Sequence, residues 1–502
     1  MLCFLFLIST LATQPGEFDT LSNFYTELAG NEWVKNTNWL NEKVDVCDWY
    51  GITCDKDGYV YQITLSSNNL VGVLPKLSGL TKLYALVIDN NQVSGSLTAL
   101  NGLSLFEAIS IKNNKFSGYA NAEGTILRFF HADNNQFDDI LYLVKNCPLL
   151  EVIGLTGNKV MTIPRSINTL IHLRTLSLGS NSITSEIPPL TNLVKLATID
   201  LSNNQIVGAI PESLGSLPSI VEILLGHNKI SGKLPSSLFS GKSLVLIDLS
   251  NNDITGDLSP MNYSPVVTSV YLKNTQVSGK LPELIVSSVQ LLDVRGTQVS
   301  CPVPYMYRER VLADCPALVT VTSHGMSKCP DFENLVNGAL YPMLEQIGDI
   351  IDFKFGWIIT ENTEYPTGYY SMHGNTEVQG DFMFSCVNAL YNSSKAMSFY
   401  QCLSSSLDSV PLDFTLCAEH QRLDPIAITK CTNDAYGKQL IKDGMDDVKR
   451  LGSTWSPTVY INDKLYCLYD SSPCGAATIE DWIRDVCKEY KGDKKPEACG
   501  NN

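Results

Sequence analysis

The residue whose type and setting most suggest chemistry is Cys329, in the run SKCPDFENL. Pro330 suits a first helical turn, so the cysteine stands immediately before a helix, with Val319 to Val321 as a preceding strand and Ile350 to Phe355 as a following one. At a helix start the aligned backbone dipoles favour a thiolate and hence nucleophilic attack, while Asp331 and Glu333 place negative charge beside it and oppose that effect. The other cysteines read differently. Of fifteen in the chain, Cys3 lies in the leading apolar run, and several others form close pairs: Cys47 and Cys54, Cys301 and Cys315, Cys417 and Cys431, Cys487 and Cys499. Such spacing suits disulfides in an oxidising compartment. With no paired C-x-x-C knuckles and six histidines, no metal site is expected, and nothing calls for a cofactor. If Cys386 pairs with Cys402 and Cys467 with Cys474, the two left over are Cys329 and Cys147, and Cys147 in NCPLL reads as a buried apolar thiol.

A chain of 502 residues implies several domains or a repeat array. The net charge of −16 excludes the basic surface that nucleic-acid binding needs. The first residues, MLCFLFLISTLATQP, resemble a signal peptide ending near Ala12, and no later stretch reaches the roughly 18 to 20 apolar residues that cross a bilayer. Export also makes Asn262 in NYS and Asn392 in NSS glycosylation acceptors.

Between residues 61 and 300 one phrase recurs, as in ITLSSNNLVG, LVIDNNQVSG, LSLGSNSIT, IDLSNNQIVG and IDLSNNDITG. Its asparagines, Asn68, Asn91, Asn114, Asn135, Asn158, Asn181, Asn204, Asn228 and Asn252, recur at the leucine-rich-repeat period, and Thr275 and Thr297 take that place in two further copies. A single strand and its return loop cannot bury an apolar face, whereas stacked copies share a core, and inward asparagines can satisfy the backbone of the turn after each strand. The concave positions expected from this pattern, Ser66, Asp89, Lys112, Asp133, Thr156, Ser202, Ser250 and Lys273, show no aromatic stripe, and His131 and His227 read as isolated solvated histidines.

The phrases IVGAIPESLGSL and ISGKLPSSLFS, with DVCDWYGITCD before the first copy, resemble the plant-type leucine-rich-repeat class and its N-terminal cap. The resemblance implies a cap closed by Cys47 and Cys54 under Trp49, and a second end bounded by Cys301 and Cys315. From about residue 318 to 499 the chain resembles the gamma-interferon-inducible lysosomal thiol reductase family. The segments that carry this are HGNTEVQGDFMFSC, CAEHQRLDPIAITKC followed by YGKQL, SPTVYIND, and the ending DVCKEYKGDKKPEAC. The family's thioredoxin-like fold carries a C-x-x-C before its first helix, which implies Cys329 as nucleophile. Pro457 would be a cis-proline opposite it, and the backbone around Ser456 would position an extended substrate. Two departures accompany the match. Phe332 stands where the resolving cysteine belongs, and the C-Q-H-G opening reads Cys386, Val387, Asn388, Ala389.

The architecture expected is α/β: a signal peptide at 1–12, a cap at 13–60, a parallel-sheet solenoid with its C-terminal cap at 61–317, and a thioredoxin-like domain with a helical insertion at 318–502. Two functions fit. One is a secreted or endolysosomal thiol–disulfide oxidoreductase working with one cysteine and an external thiol reductant. It would form mixed disulfides with disulfide-containing protein substrates recruited by the repeats, whose concave face would take a protein or peptide ligand. The other is a non-catalytic extracellular recognition protein in which Cys329 belongs to a structural remnant.

Overall fold

In the computed structural model the described residues are 16–263, 266–281, 289–301, 303, 310–391, 393–404, 414–468, 477–492 and 495–500. The leading segment 1–12, Asn392, Cys474 and the side chain of Asn262 lie outside them. The chain divides into two compact units between Val299 and Ser300, and Cys301 bonds Cys315.

The first unit opens on the helix Glu17–Glu27 and an aromatic cluster in which Trp49, almost fully buried, packs against Trp39 at 4.9 Å between ring centroids. Cys47 and Cys54 are bonded there. Short parallel strands then succeed one another from Val60–Thr64 through Leu291–Asp293, in a register that sets Ile63 beside Leu86 and Ile199 beside Ile223. Each such residue is buried, and together they form the continuous core that no single repeat could enclose.

From Asn91 to Asn252 the recurring asparagine closes each turn in the same way, whereas Asn68 bonds the backbone of Lys35. The Asn204 amide reaches the carbonyls of Leu178, Leu201 and Ser202 at 3.0 to 3.1 Å, and its carbonyl oxygen accepts from the backbone of Ile183 at 3.0 Å. Asn91 repeats the set on Leu65, Ile88 and Asp89. The residue just before it takes the left-handed conformation, as at Asn90, Asn203 and Asn251 with φ of 57°, 54° and 53°. This is why that position is so often Asn, Ser or Gly. His227 also sits there with φ of 57°, so its place in the sequence reflects the turn. Thr275 and Thr297 donate to the carbonyl three residues back. On the concave side Asp89 is engaged within the sheet, accepting from the Ser110 hydroxyl and the Lys112 backbone, each at 2.7 Å.

The second unit is built on a four-stranded sheet with the strands in the order Ile351–Trp357, Val319–Gly325, Thr458–Ile461, Lys464–Leu468. The first two are parallel, joined by a helical run from Pro330 to Ile347 with a π-helical turn in its middle, which is the βαβ unit expected from the sequence. The other two run antiparallel to their neighbours. Between Trp357 and Thr458 the chain inserts helices Asn375–Leu390, Ser393–Ser404, Phe414–His420, Pro425–Asn433 and Ala435–Leu451.

Two disulfides pin this insertion, and they cross the pairing suggested by sequence proximity: Cys386 bonds Cys431, and Cys402 bonds Cys417. Asn375–Leu390 lies against Pro425–Asn433, and Ser393–Ser404 against Phe414–His420, which brings each bonded pair of Cα atoms to 5.9 and 5.7 Å. Cys487 bonds Cys499, and Cys467 is also disulfide-bonded.

Because one Asn204 side chain serves four backbone groups, Asn204→Ala should lower the unfolding free energy of the repeats by about 1–3 kcal/mol, the penalty for orphaned buried polar groups. Asn203→Gly, next to it in the left-handed turn, should change it by less than about 0.5 kcal/mol. Thermal unfolding followed by circular dichroism compares the two.

Candidate active site

Cys329 is one of two free cysteines among the described residues. It caps the helix that starts at Pro330: its carbonyl accepts from Glu333 N–H at 3.0 Å, and its own N–H donates to Met326 O at 3.0 Å. Cys329 is buried, and its sulfur lies 3.9 Å from the carbonyl oxygen of Ser456. The Ser456–Pro457 peptide bond is cis. The sequence-predicted nucleophile and the Ser456–Pro457 loop are thus brought together, even though they lie far apart in the chain.

Phe332 is wholly buried beneath the cysteine, its ring packed edge-on against Tyr400, Trp357 and Phe355 at 5.5 to 6.5 Å. Gly325 makes room for it, since a Cβ at that position would stand 2.4 Å from the Phe332 ring. The second thiol position therefore holds an aromatic core residue.

The turn leading into Cys329 is held by side chains that the sequence reading assigned elsewhere. Asp381 accepts the Ser327 N–H at 3.1 Å, and Glu377, one helical turn earlier, accepts the Lys328 N–H at 2.9 Å. Glu377 also bonds the Ser371 hydroxyl and meets His373 Nδ1 at 2.9 Å. The Ser327 carbonyl accepts the Tyr400 hydroxyl at 3.2 Å, and the Ser327 hydroxyl donates to the Glu377 carbonyl at 3.0 Å. Both carboxylates are fully enclosed. Burial, reinforced by the charge of Glu377, pushes the Asp381 carboxyl well above the usual carboxylate range, and its second oxygen has no hydrogen-bond partner. Burial likewise raises the Tyr400 phenol.

The altered C-Q-H-G opening does not lie at this site. Cys386, Val387 and Asn388 sit in the body of the helix Asn375–Leu390, with Cys386 consumed in its disulfide and Asn388 donating to Phe353 O. The run Ser371 to Asp381, earlier in the same segment, is the part that reaches the cysteine turn. A signal was present: two carboxylates four residues apart amid Val378, Phe382 and Phe384 place charge on a helix too apolar to leave them solvated.

His324, on the central strand, is buried, with Nδ1 2.6 Å from the Ser453 hydroxyl, which in turn meets the Tyr460 hydroxyl at 2.7 Å. Burial lowers its pKa to about 4. A cleft of about 300 Å³ lined by Lys354, Ser385, Asn388, Asp443 and Asp447 includes neither Cys329 nor Ser456. In the repeats, His131 is half-buried with its pKa lowered by burial, Cys147 is enclosed with its thiol pushed up to about 11, and neither lies in a cluster that could do chemistry.

Known families match three parts of the chain: a leucine-rich-repeat N-terminal domain over residues 15–55, leucine-rich repeats over 171–219, and gamma interferon inducible lysosomal thiol reductase over 320–421. Leucine-rich repeats are followed here by a thiol-reductase-family domain. The family match begins on the strand before Cys329 and ends within the helical insertion, short of Ser456 and Pro457. Among solved structures, the Arabidopsis receptor kinase HAESA in complex with a peptide hormone and a co-receptor is similar at 23% identity with a TM-score of 0.51, over 68% of this chain and 58% of that one. The ectodomain of the Arabidopsis receptor kinase GASSHO1 is similar at 28% identity with a TM-score of 0.47, over 59% of this chain and 36% of that one. The chain thus spans less than two thirds of either, and the first likeness shows the repeat fold. No curated relative matches the chain.

The raised Asp381 carboxyl has a definite sign for stability. The folded domain binds that proton more tightly than the unfolded chain does, so its contribution is fully present below the ordinary carboxylate pKa of about 4 and is lost as pH rises from there. Asp381→Asn keeps an oxygen for Ser327 and removes the ionisation. It should therefore match the wild type near pH 4 and exceed it in melting temperature increasingly toward pH 7. A melting series across that range tests this, and a constant offset at every pH would sink it. His324 works in the opposite direction, losing stability as pH falls from about 6.5 to about 4, and is present in both proteins.

Proposed function

We propose that the thiol-reductase-family domain carries out thiol–disulfide exchange through Cys329 on disulfide-containing protein substrates, and that the repeats recruit those substrates or a protein or peptide ligand. The observation that carries this reading is the free Cys329 at a helix start within the family match, with its sulfur beside the Ser456 carbonyl. The Cys329 thiolate attacks one sulfur of the substrate disulfide, a bond forms between them, and the other substrate sulfur leaves as a thiolate that takes a proton from water. With Phe332 in place of a second thiol, the mixed disulfide waits for an external thiol. That thiol attacks the Cys329 sulfur and releases the reduced substrate, and a second external thiol restores Cys329 while the two reductant molecules end as a disulfide.

Several disulfides fit a secreted or endolysosomal site of action. No helix among the described residues is long and apolar enough to cross a membrane. The similar receptor kinase HAESA is described with a peptide hormone bound, which supports assigning a peptide-binding role to the repeats here. Segment 1–12 is proposed as the signal peptide, and Asn262 and Asn392 as glycan acceptors.

A second reading, a recognition protein whose C-terminal domain no longer catalyses, draws on Phe332. Phe332 is wholly buried in the core, and Cys329 three residues earlier is only 8% exposed as a residue. The test is trapping. The full-length protein incubated with a peptide disulfide should acquire a mass adduct at Cys329 that an external thiol removes, and Cys329→Ser should show none. Phe332→Cys should speed release of the adduct, at a cost of about 3 kcal/mol in stability from the cavity its ring leaves. Absence of any adduct from acidic to neutral pH would leave the recognition reading standing.

A further inference from the structure

The domain contains three tryptophans, and two of them, Trp357 and Trp482, are enclosed, whereas Trp455 is 71% exposed. Its place is specific. Trp455 immediately precedes Ser456, whose carbonyl is the polar group 3.9 Å from the Cys329 sulfur. Its own carbonyl accepts from the hydroxyl of Thr458 at 2.7 Å, and buried Thr458 pairs with His324 on the central strand. The loop that carries the indole is therefore anchored to the sheet, and adjacent Cα atoms lie about 3.8 Å apart, so a large apolar ring rises one residue from the edge of the thiol site. Leaving such a ring in water forfeits the burial that aromatic side chains normally gain, and a rigid indole presents contact area at small entropic cost.

We infer that Trp455 determines specificity at the Cys329 site, by receiving a bulky apolar side chain of an extended substrate close to the substrate's own cysteine. The inference rests on the reading of Cys329 as the attacking thiol. Side chains two residues apart in an extended chain point to the same side, so when the substrate disulfide faces Cys329, the residues two positions from it also face the domain. The substrate class is a polypeptide with a disulfide flanked at that spacing by aromatic or large aliphatic residues, a composition that folded proteins keep in their cores.

The experiment measures the rate of adduct formation at Cys329 in the full-length protein with three probes. These are hydroxyethyl disulfide, a peptide disulfide with phenylalanine two residues to either side of the cysteine, and the same peptide with serine at those places. Wild type should react roughly five to ten times faster with the phenylalanine peptide than with the serine peptide, the size of one well-placed aromatic contact. Trp455→Ala should abolish that difference while reacting with hydroxyethyl disulfide at the wild-type rate, and Trp455→Phe should restore most of the preference. Retention of the full preference by Trp455→Ala overturns the inference, as does an equal slowing with all three probes, which would mark the indole as structural. Failure of wild-type Cys329 to react even with hydroxyethyl disulfide would instead overturn the exchange reading on which the inference stands.

Discussion

The thiol site depends on two carboxylates that water does not reach. Glu377 and Asp381 accept the N–H groups of Lys328 and Ser327, and without those acceptors the turn that presents Cys329 would leave two backbone donors buried and unpaired. Enclosing carboxylates is costly, and the arrangement holds because each oxygen engaged with the turn replaces a lost water. It follows that the turn before Cys329 is held by a helix well downstream in sequence. The helix Asn375–Leu390 is in turn tied by Cys386 to Cys431, so the insertion buttresses that turn.

The same economy governs the repeats, where one asparagine per copy satisfies the carbonyls of its own turn and of the turn before it. The difference lies in how the solution is distributed. In the solenoid it recurs at a fixed period because every copy poses the same problem, while at the cysteine turn the problem occurs once and is solved by residues with no local echo.

That contrast explains what could be read from the sequence. The asparagine ladder announces itself through spacing and the βαβ setting of Cys329 through residue type, while the cap closed by Cys47 and Cys54 is what the resemblance implies. Cys386, Cys402, Cys417 and Cys431 do not announce their pairing, because their bonds join Asn375–Leu390 to Pro425–Asn433 and Ser393–Ser404 to Phe414–His420, passing over the nearer cysteine in the sequence. Glu377 and Asp381 are not legible for a related reason: their role at the Cys329 turn depends on a contact some fifty residues away in the chain, which no local spacing marks. His227 was discounted as an isolated solvated histidine, but the sequence alone did not reveal why it is there, namely a left-handed turn shared with asparagines in the neighbouring repeats.

Phe332 and Gly325 bear on whether the departure at the resolving position is damage or adaptation. A cysteine replaced at random would leave a void or an unpaired polar group, yet here a ring packs edge-on against Tyr400, Trp357 and Phe355, with a glycine beside it that admits it. Three residues earlier, Cys329 is free. Cys386, Cys402, Cys417, Cys431, Cys467, Cys487 and Cys499 are all consumed in disulfides, and Cys147, the other free cysteine, is sealed inside a repeat. One free thiol at a helix start, packed hydrocarbon three residues on and an anchored loop beside it are the features on which the proposed exchange with an external thiol rests.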